Sequence, residues 1–263
     1  MNSGTLRDES SNSHIGLGVV SFNRPGALSA LLKNLDQFGW GGAQVRVVVV
    51  DEPYDEFKYG NVSRNGRHVV LFKENGGMGS AKNLVLDYLL ANDCKHIFII
   101  EDDILMSSRH VCEHYTEYAI KAGVPHLNFA LHGPLNNGQG RWLQWKRDSN
   151  IGMDRVWVFP HCVGAFSYYT NDIINLVGKF DENFYNAWEH VEHTWRITLT
   201  KQTPPFWYFM DHPESGNFLT EIRGALSKSV IRASPKHHHN IRLGKAYWIE
   251  KHGQFLPPKP VWA

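Results

Sequence analysis

Val45-Arg46-Val47-Val48-Val49-Val50-Asp51 is a nearly unbroken β-branched run that closes on a carboxylate. A strand buried on both faces reads this way, because neither face needs polar residues, and such strands belong to parallel sheets covered by helices. Reading outward, Ile15 to Phe22 is a second apolar strand. Pro25 suits a first helical position, and Leu28, Leu31, Leu32 and Leu35 then mark a helix that should end near Gly39. His68 to Phe72 and His96 to Ile100 supply two further strands. Between them Ala81, Leu84, Val85, Tyr88 and Leu89 follow the i, i+3, i+4, i+7, i+8 stripe of an amphipathic helix beginning at Met78. Four strands with intervening helices predict an α/β fold: a Rossmann-like, mostly parallel central sheet flanked by helices, with ligands at the carboxyl ends of the strands.

The chain has 263 residues, 42% of them hydrophobic, enough to bury a large core and to exclude a disordered or fibrous protein. With 27 Lys+Arg against 26 Asp+Glu the formal charge is +1, so a nucleic acid or an anionic membrane would have to be met by a local patch. The longest apolar runs fall far short of the roughly 20 residues of a membrane helix, and no membrane span is expected. Met1 to Ser13 is a polar tail without the apolar segment of a secretory signal. Cys94, Cys112 and Cys162 are odd in number and widely spaced, which suits free thiols in a reducing compartment. A cytoplasmic setting is the expectation.

Beyond residue 125 the apolar pieces are short. Leu127 to Leu131, Val156 to Phe159 and Phe206 to Met210 are expected to extend the same sheet as a mixed continuation. Helices are expected over Asn171 to Gly178, capped by Thr170 or Asn171, and over Glu189 to Leu199. Residues 14–212 then form one domain and 213–263 a basic extension, loop-rich through Gly216 to Asn240.

The sharpest chemical feature is Ile100-Glu101-Asp102-Asp103-Ile104, three carboxylates directly after an apolar strand. Adjacent acids repel, so something cationic should compensate them. Oxygen ligands at a strand end can hold Mg²⁺ or Mn²⁺, and the ion can neutralise a diphosphate. A solvated acidic turn is the plainer alternative. A dinucleotide site of the G-x-G-x-x-G kind is not expected, since no such fingerprint follows the first strand. His190-Val191-Glu192-His193 also lacks the H-E-x-x-H order that brings two imidazoles to zinc.

Several collinear segments set the acids in context. Val20-Ser21-Phe22-Asn23-Arg24-Pro25 closes the first strand, Asp51-Glu52 the second, and Asn75-Gly76-Gly77-Met78-Gly79-Ser80-Ala81-Lys82-Asn83 opens the helix before the acidic strand. This ordered set resembles the family 2 glycosyltransferases of the GT-A fold, over roughly residues 14 to 212. The resemblance implies a nucleotide-binding half (14–104) and an acceptor half (105–212). It assigns Ser21, Asn23, Arg24 and Asp51 to base and ribose, and sets Gly77, Lys82 and Asn83 near the nucleotide. Glu101-Asp102-Asp103 matches the DxD motif, whose last Asp touches the metal; Asp102 is shared between nucleotide and metal. Gly164-Ala165-Phe166 is similar to the segment flanking donor sugar and acceptor, with Trp188 close by. Trp188-Glu189-His190-Val191-Glu192-His193-Thr194-Trp195-Arg196 is similar to the G-E-D-x-E/D-x-x-x-R segment, with His190 in place of the Asp that acts as base. The base is therefore sought among His190, Glu189 and Glu192, since a neutral imidazole can accept a proton near pH 7. Asp211-His212 follows, and His212 is the candidate third metal ligand, with Asp211 as its alternative.

The implied function is transfer from a nucleotide-sugar donor, a UDP-sugar first, to a hydroxyl acceptor, with Mn²⁺ or Mg²⁺ and inversion at the anomeric carbon. The competing reading is a binding module that keeps the fold without catalysis. A glycan is the expected acceptor. Arg223, Lys228, Arg232, Lys236, Arg242 and Lys245 form a basic segment without acids, and Trp142, Trp145 and Trp157 could stack on bases as well as sugars. A hydroxylated base in DNA, held by Arg223 to Lys245, is therefore the minority expectation. His237-His238-His239 reads as a surface run or part of a closing lid.

Overall fold

The computed structural model describes residues 14–62, 68–145, 155–222 and 229–259. The expected strands and helices of the first half form in order: β1 (Ile15–Ser21), α1 (Pro25–Gln37), β2 (Val45–Val50), a short α2 (Glu56–Tyr59), β3 (Val69–Phe72), α3 (Met78–Ala91) and β4 (His96–Glu101). There follow β5 (Ile104–Met106), α4 (Val111–Ala122), β6 (His126–Asn128), β7 (Arg141–Gln144), β8 (Arg155–Phe159), β9 (Phe166–Thr170), α5 (Asn171–Val177) and α6 (Glu189–Leu199). The chain continues through β10 (Phe209–Met210), β11 (Leu219–Glu221), α7 (Val230–Ala233) and α8 (His237–His252).

The central sheet runs β3-β2-β1-β4-β9-β6, with β1 to β4 parallel and β9 antiparallel to both β4 and β6. Alternation along β2 explains why its valines need no polar break. Val48 and Val50 pack with Leu28, Leu31 and Leu35 of α1 on one face, while Val47 and Val49 pack with Val85 and Leu89 of α3 on the other. Each fully buried aliphatic side chain is worth about 1.5–3 kcal/mol. Close packing of α3 on β1 requires glycine, because a Cβ at Gly18 would stand 2.1 Å from Cγ1 of Val85.

The mixed continuation is met by β6 and β9, but β8 and β10 depart from it. They leave the central sheet and pair with β7 in a separate three-stranded antiparallel sheet, β10-β8-β7. The expected strand at Phe206 to Met210 shrinks to its last two residues. The larger difference lies in the C-terminal part: α8 is a 16-residue helix, and its first turn contains His237-His238-His239. Trp248 is buried against Phe184, Trp188 and Trp195, so α8 is anchored beside the start of α6 rather than forming a loop. Among the described residues no helix is long and apolar enough to cross a membrane. The polar tail 1–13, Arg223 and Lys228 lie outside the described residues.

Candidate functional site

A cavity of about 600 Å³ opens where β4 ends, and Glu101, Asp103, His132, Gly164, Glu189 and His190 lie on its wall. A smaller adjoining pocket shares Glu101 and Asp103 and adds Ser21, Arg24 and Asp102. The sheet thus brings the end of β1, the end of β4 and the start of α6 to one place, as a doubly wound topology would.

The acidic triplet splits into three roles. Asp102 accepts from Ser21 Oγ at 2.6 Å and from Arg24 Nη1 at 2.7 Å, so each of its oxygens already has a partner. Its burial raises its pKa to about 7 although Arg24 and Ser21 pull the other way. Glu101 pairs with Lys82, whose Nζ lies 2.8 Å from Oε1. Asp103 keeps a buried oxygen, Oδ1, without a hydrogen bond; Oδ2 lies 3.8 Å from both Arg24 Nη1 and His132 Nε2. The cationic compensation that three adjacent acids demand is supplied from within the chain by Arg24 and Lys82.

The residues expected at the nucleotide divide similarly. Asp51, 1% exposed, accepts from the amides of Gly76 and Gly77 and from Lys73, each at 3.0 Å, and so ties the Gly-rich loop to β2. It is not on the wall of either cavity. Asn83 also turns away from them: it donates to Phe180 O at 2.9 Å and accepts from Phe180 N at 2.8 Å, fixing the chain after α5. Asn23, with φ of 49°, meets Lys58 at 3.5 Å. Gly77, with φ of 87°, takes a conformation natural to glycine at the N-terminus of α3. Lys82 is buried among Glu101, Glu189 and the Gly164 carbonyl, at 2.8, 3.3 and 3.4 Å. Burial alone would lower its pKa, but the two acids outweigh that and raise it.

Of the residues expected near the acceptor, Gly164, Ala165 and Trp188 line the large cavity, whereas Phe166 packs in the core against Phe98 and Tyr115. Trp188 donates from Nε1 to Ile241 O at 3.1 Å and so holds α8. Of the three base candidates, Glu192 is fully buried and bonded to Arg196 at 3.0 Å and Lys251 at 2.7 Å, a structural ion network. Glu189 is held by Lys82, and burial, which would raise its pKa, is overcome by Lys82 and His190, leaving it at about 2. His190 is the partly exposed member, with Nδ1 3.3 Å from Glu189 Oε1.

His212 is not on the wall of either cavity. It packs in an aromatic cluster, 5.0 Å from Tyr118 and 4.9 Å from Phe218 between ring centroids, and burial lowers its pKa to about 4. Asp211 accepts from Tyr115 Oη, Ala130 N and Ser215 Oγ at 2.6, 2.9 and 2.7 Å, which makes it a structural hub. The histidine beside Asp103 is instead His132, which follows β6 and whose Nδ1 lies 3.5 Å from Glu221 of β11. No sequence signal marks it, since His132-Gly133-Pro134 has the composition of an ordinary turn. The C-terminal segment contributes Arg232, His237 and Ile241 to the cavity wall.

Among the described residues no three His, Cys, Asp or Glu side chains are gathered to hold a metal ion. An ion of the Mg²⁺ type takes fewer protein ligands, one or two carboxylates shared with substrate phosphates and water. The unpartnered Asp103 Oδ1 is an oxygen donor of the kind such an ion takes, and Asp102 and His212 are not free to join it in this arrangement.

No protein-family model and no curated protein matches the sequence. Among solved structures, the chain is similar to the mannosyltransferase PcManGT from Pyrobaculum calidifontis in complex with GDP-Man and Mn²⁺, at 13% identity and a TM-score of 0.51, over 76% of this chain and 54% of that one. It is also similar to S. aureus TarS, at 15% identity and a TM-score of 0.50, over 89% of this chain and 42% of that one. The chain thus spans about half the length of the mannosyltransferase that it matches. At such identity the likeness is one of architecture, and it agrees with the strand order and the mixed β9 and β6 edge: the chain has the GT-A glycosyltransferase fold.

Proposed function

We propose that this protein transfers a sugar from a nucleoside-diphosphate donor, a UDP-sugar first, to a hydroxyl acceptor, with inversion at the anomeric carbon. The observation that carries the reading is one cavity at the carboxyl end of β4 with Asp103, whose buried Oδ1 has no hydrogen-bond partner, and His190 both among its lining residues. A divalent ion bound there would act as a Lewis acid toward the departing diphosphate. Asp103 would hold it, with His132 beside the same carboxylate, while Lys82 and Arg24 steady the neighbouring acids. His190 is the acceptor-side group best placed to take the hydroxyl proton, since Glu189 and Glu192 are both engaged in ion pairs. A glycan is the acceptor proposed. The basic residues Arg232, Lys236, Arg242 and Lys245 justify modified DNA as a second arm of the same test.

The test is transfer from UDP- and GDP-sugars with Mn²⁺, Mg²⁺ or a chelator, using a panel of glycans and hydroxylated DNA and reading the product mass. Metal-supported sugar transfer is expected. Nucleotide-sugar binding without transfer or donor hydrolysis under any condition would favour the binding-module reading.

A further inference from the structure

Glu189 and His190 are adjacent in sequence, yet their side chains meet. His190 Nδ1 lies 3.3 Å from Oε1 of Glu189, and that same oxygen lies 3.3 Å from the buried ammonium of Lys82. A carboxylate facing an ammonium is ionised and has no proton to give, so a neutral imidazole in this contact carries its own proton on Nδ1. The ring is also fixed from the other side. A Cβ at Gly164 would stand 2.8 Å from Cγ and 3.2 Å from Nδ1 of His190, so the Gly164 backbone packs directly against the imidazole. The Gly164 carbonyl in turn accepts from Lys82 at 3.4 Å.

We infer that Lys82, Glu189 and Gly164 form a seat for His190, with Glu189 a positioning residue that locks the tautomer whose bare Nε2 is the base for the transfer. This rests on the proposed glycosyl transfer and deepens it. In the step itself, Nε2 takes the proton of the acceptor hydroxyl as that oxygen bonds to the anomeric carbon. The bond from that carbon to the diphosphate oxygen breaks, and its electron pair leaves with the nucleoside diphosphate. The imidazolium formed is stabilised by the Glu189 carboxylate until it returns the proton to water, the role an acid plays behind a catalytic histidine elsewhere. Lys82 then serves by keeping Glu189 charged, and the absence of a side chain at Gly164 serves by leaving room for the ring.

Glu189→Leu separates this from a merely structural acid. Lys82 Nζ and His190 Nδ1 face the same Oε1, so an amide oxygen there would still accept from both, whereas leucine removes the acceptor. Nδ1–H is then left without a partner and the Nε2–H tautomer is no longer excluded. In ring-¹⁵N-labelled protein, with His190 assigned by its loss in His190→Ala, the two-bond ¹H–¹⁵N spectrum should show Nδ1–H in the native chain and Nε2–H signals in Glu189→Leu. In that variant kcat should fall by roughly 10²-fold or more, as loss of a general base does, while the donor KM holds. Retention of the pure Nδ1 tautomer or of native kcat in Glu189→Leu overturns the inference. If that variant fails to fold, Gly164→Ala displaces the ring without changing charge: a fall in kcat with shifted His190 signals is expected, and native kcat with unmoved signals overturns the inference. A native transfer rate in His190→Ala would sink the assignment of the base, while the ring spectrum would still report the Glu189 contact.

Discussion

Lys82 Nζ lies 2.8 Å from Oε1 of Glu101, although one belongs to the first turns of α3 and the other ends β4. This contact, continued to Glu189, joins the acidic strand end to the start of α6 through one buried cation.

Removing that cation should be costly. Lys82→Met would leave Glu189, 5% exposed, without its opposite charge. Breaking a buried pair by deleting one partner costs about 3–5 kcal/mol, so urea denaturation should show a loss of that order. A change below about 1 kcal/mol, the range of exposed pairs, would mean that the pair is solvated in solution.

The two histidine candidates for the metal are separable by titration with Mn²⁺. His132→Ala should raise the Mn²⁺ concentration needed for half-maximal turnover by roughly tenfold or more, the usual effect of losing a group beside a ligand. Asp103→Asn should abolish Mn²⁺-supported turnover while keeping the fold. His212→Ala should leave the Mn²⁺ requirement alone and lower the melting temperature, because its ring packs with Tyr118 and Phe218. The reverse pattern would restore His212 to the metal.

Asp51→Ala should loosen the Gly-rich loop. The variant orphans the amide of Gly76, bonded at 3.0 Å, and leaves that of Gly77 only its 3.1 Å contact with Asn75 Oδ1. An unsatisfied buried donor costs about 1–3 kcal/mol, and UDP affinity should fall with the loss of loop order. Denaturation and calorimetry measured together decide the cause: weaker UDP binding at native stability would mean that Asp51 touches the nucleotide directly.

Acid should weaken the protein through His126. Its Nδ1 donates to Tyr168 O at 2.8 Å, its Nε2 accepts from Thr194 Oγ1 at 3.1 Å, and burial lowers its pKa to about 4. The folded chain resists protonation, so as pH falls below 6.5 the unfolded chain takes the proton first. Stability contributed by the neutral ring is complete above 6.5 and is lost down to about 4, by about 3 kcal/mol at most. His126→Gln should flatten the stability curve across that window. Parallel curves for the two proteins would mean that this imidazole is already solvated.

Much of this was legible in the chain because it is local. The alternation of Val47 to Val50 between the two faces of β2, the leucine stripe of α1 and the register of α6 follow from periods of 2 and 3.6, which neighbouring residues impose on one another. The strand-end acids were equally visible, and so was their need for a cation. What α8 would do was not: only Gly244 and Trp248 of its 16 residues are buried, so its one deeply buried large side chain has no periodic stripe to announce it. Nor could sequence divide three adjacent carboxylates into one held by Arg24, one by Lys82 and one left open at Oδ1. The same limit hid that His132 rather than His212 stands beside Asp103, and that Glu189 and Glu192 are already paired with cations. Periodicity fixes which face a side chain takes, but availability for chemistry depends on which partner from a distant strand or helix reaches it first, and that is set only when the chain has packed.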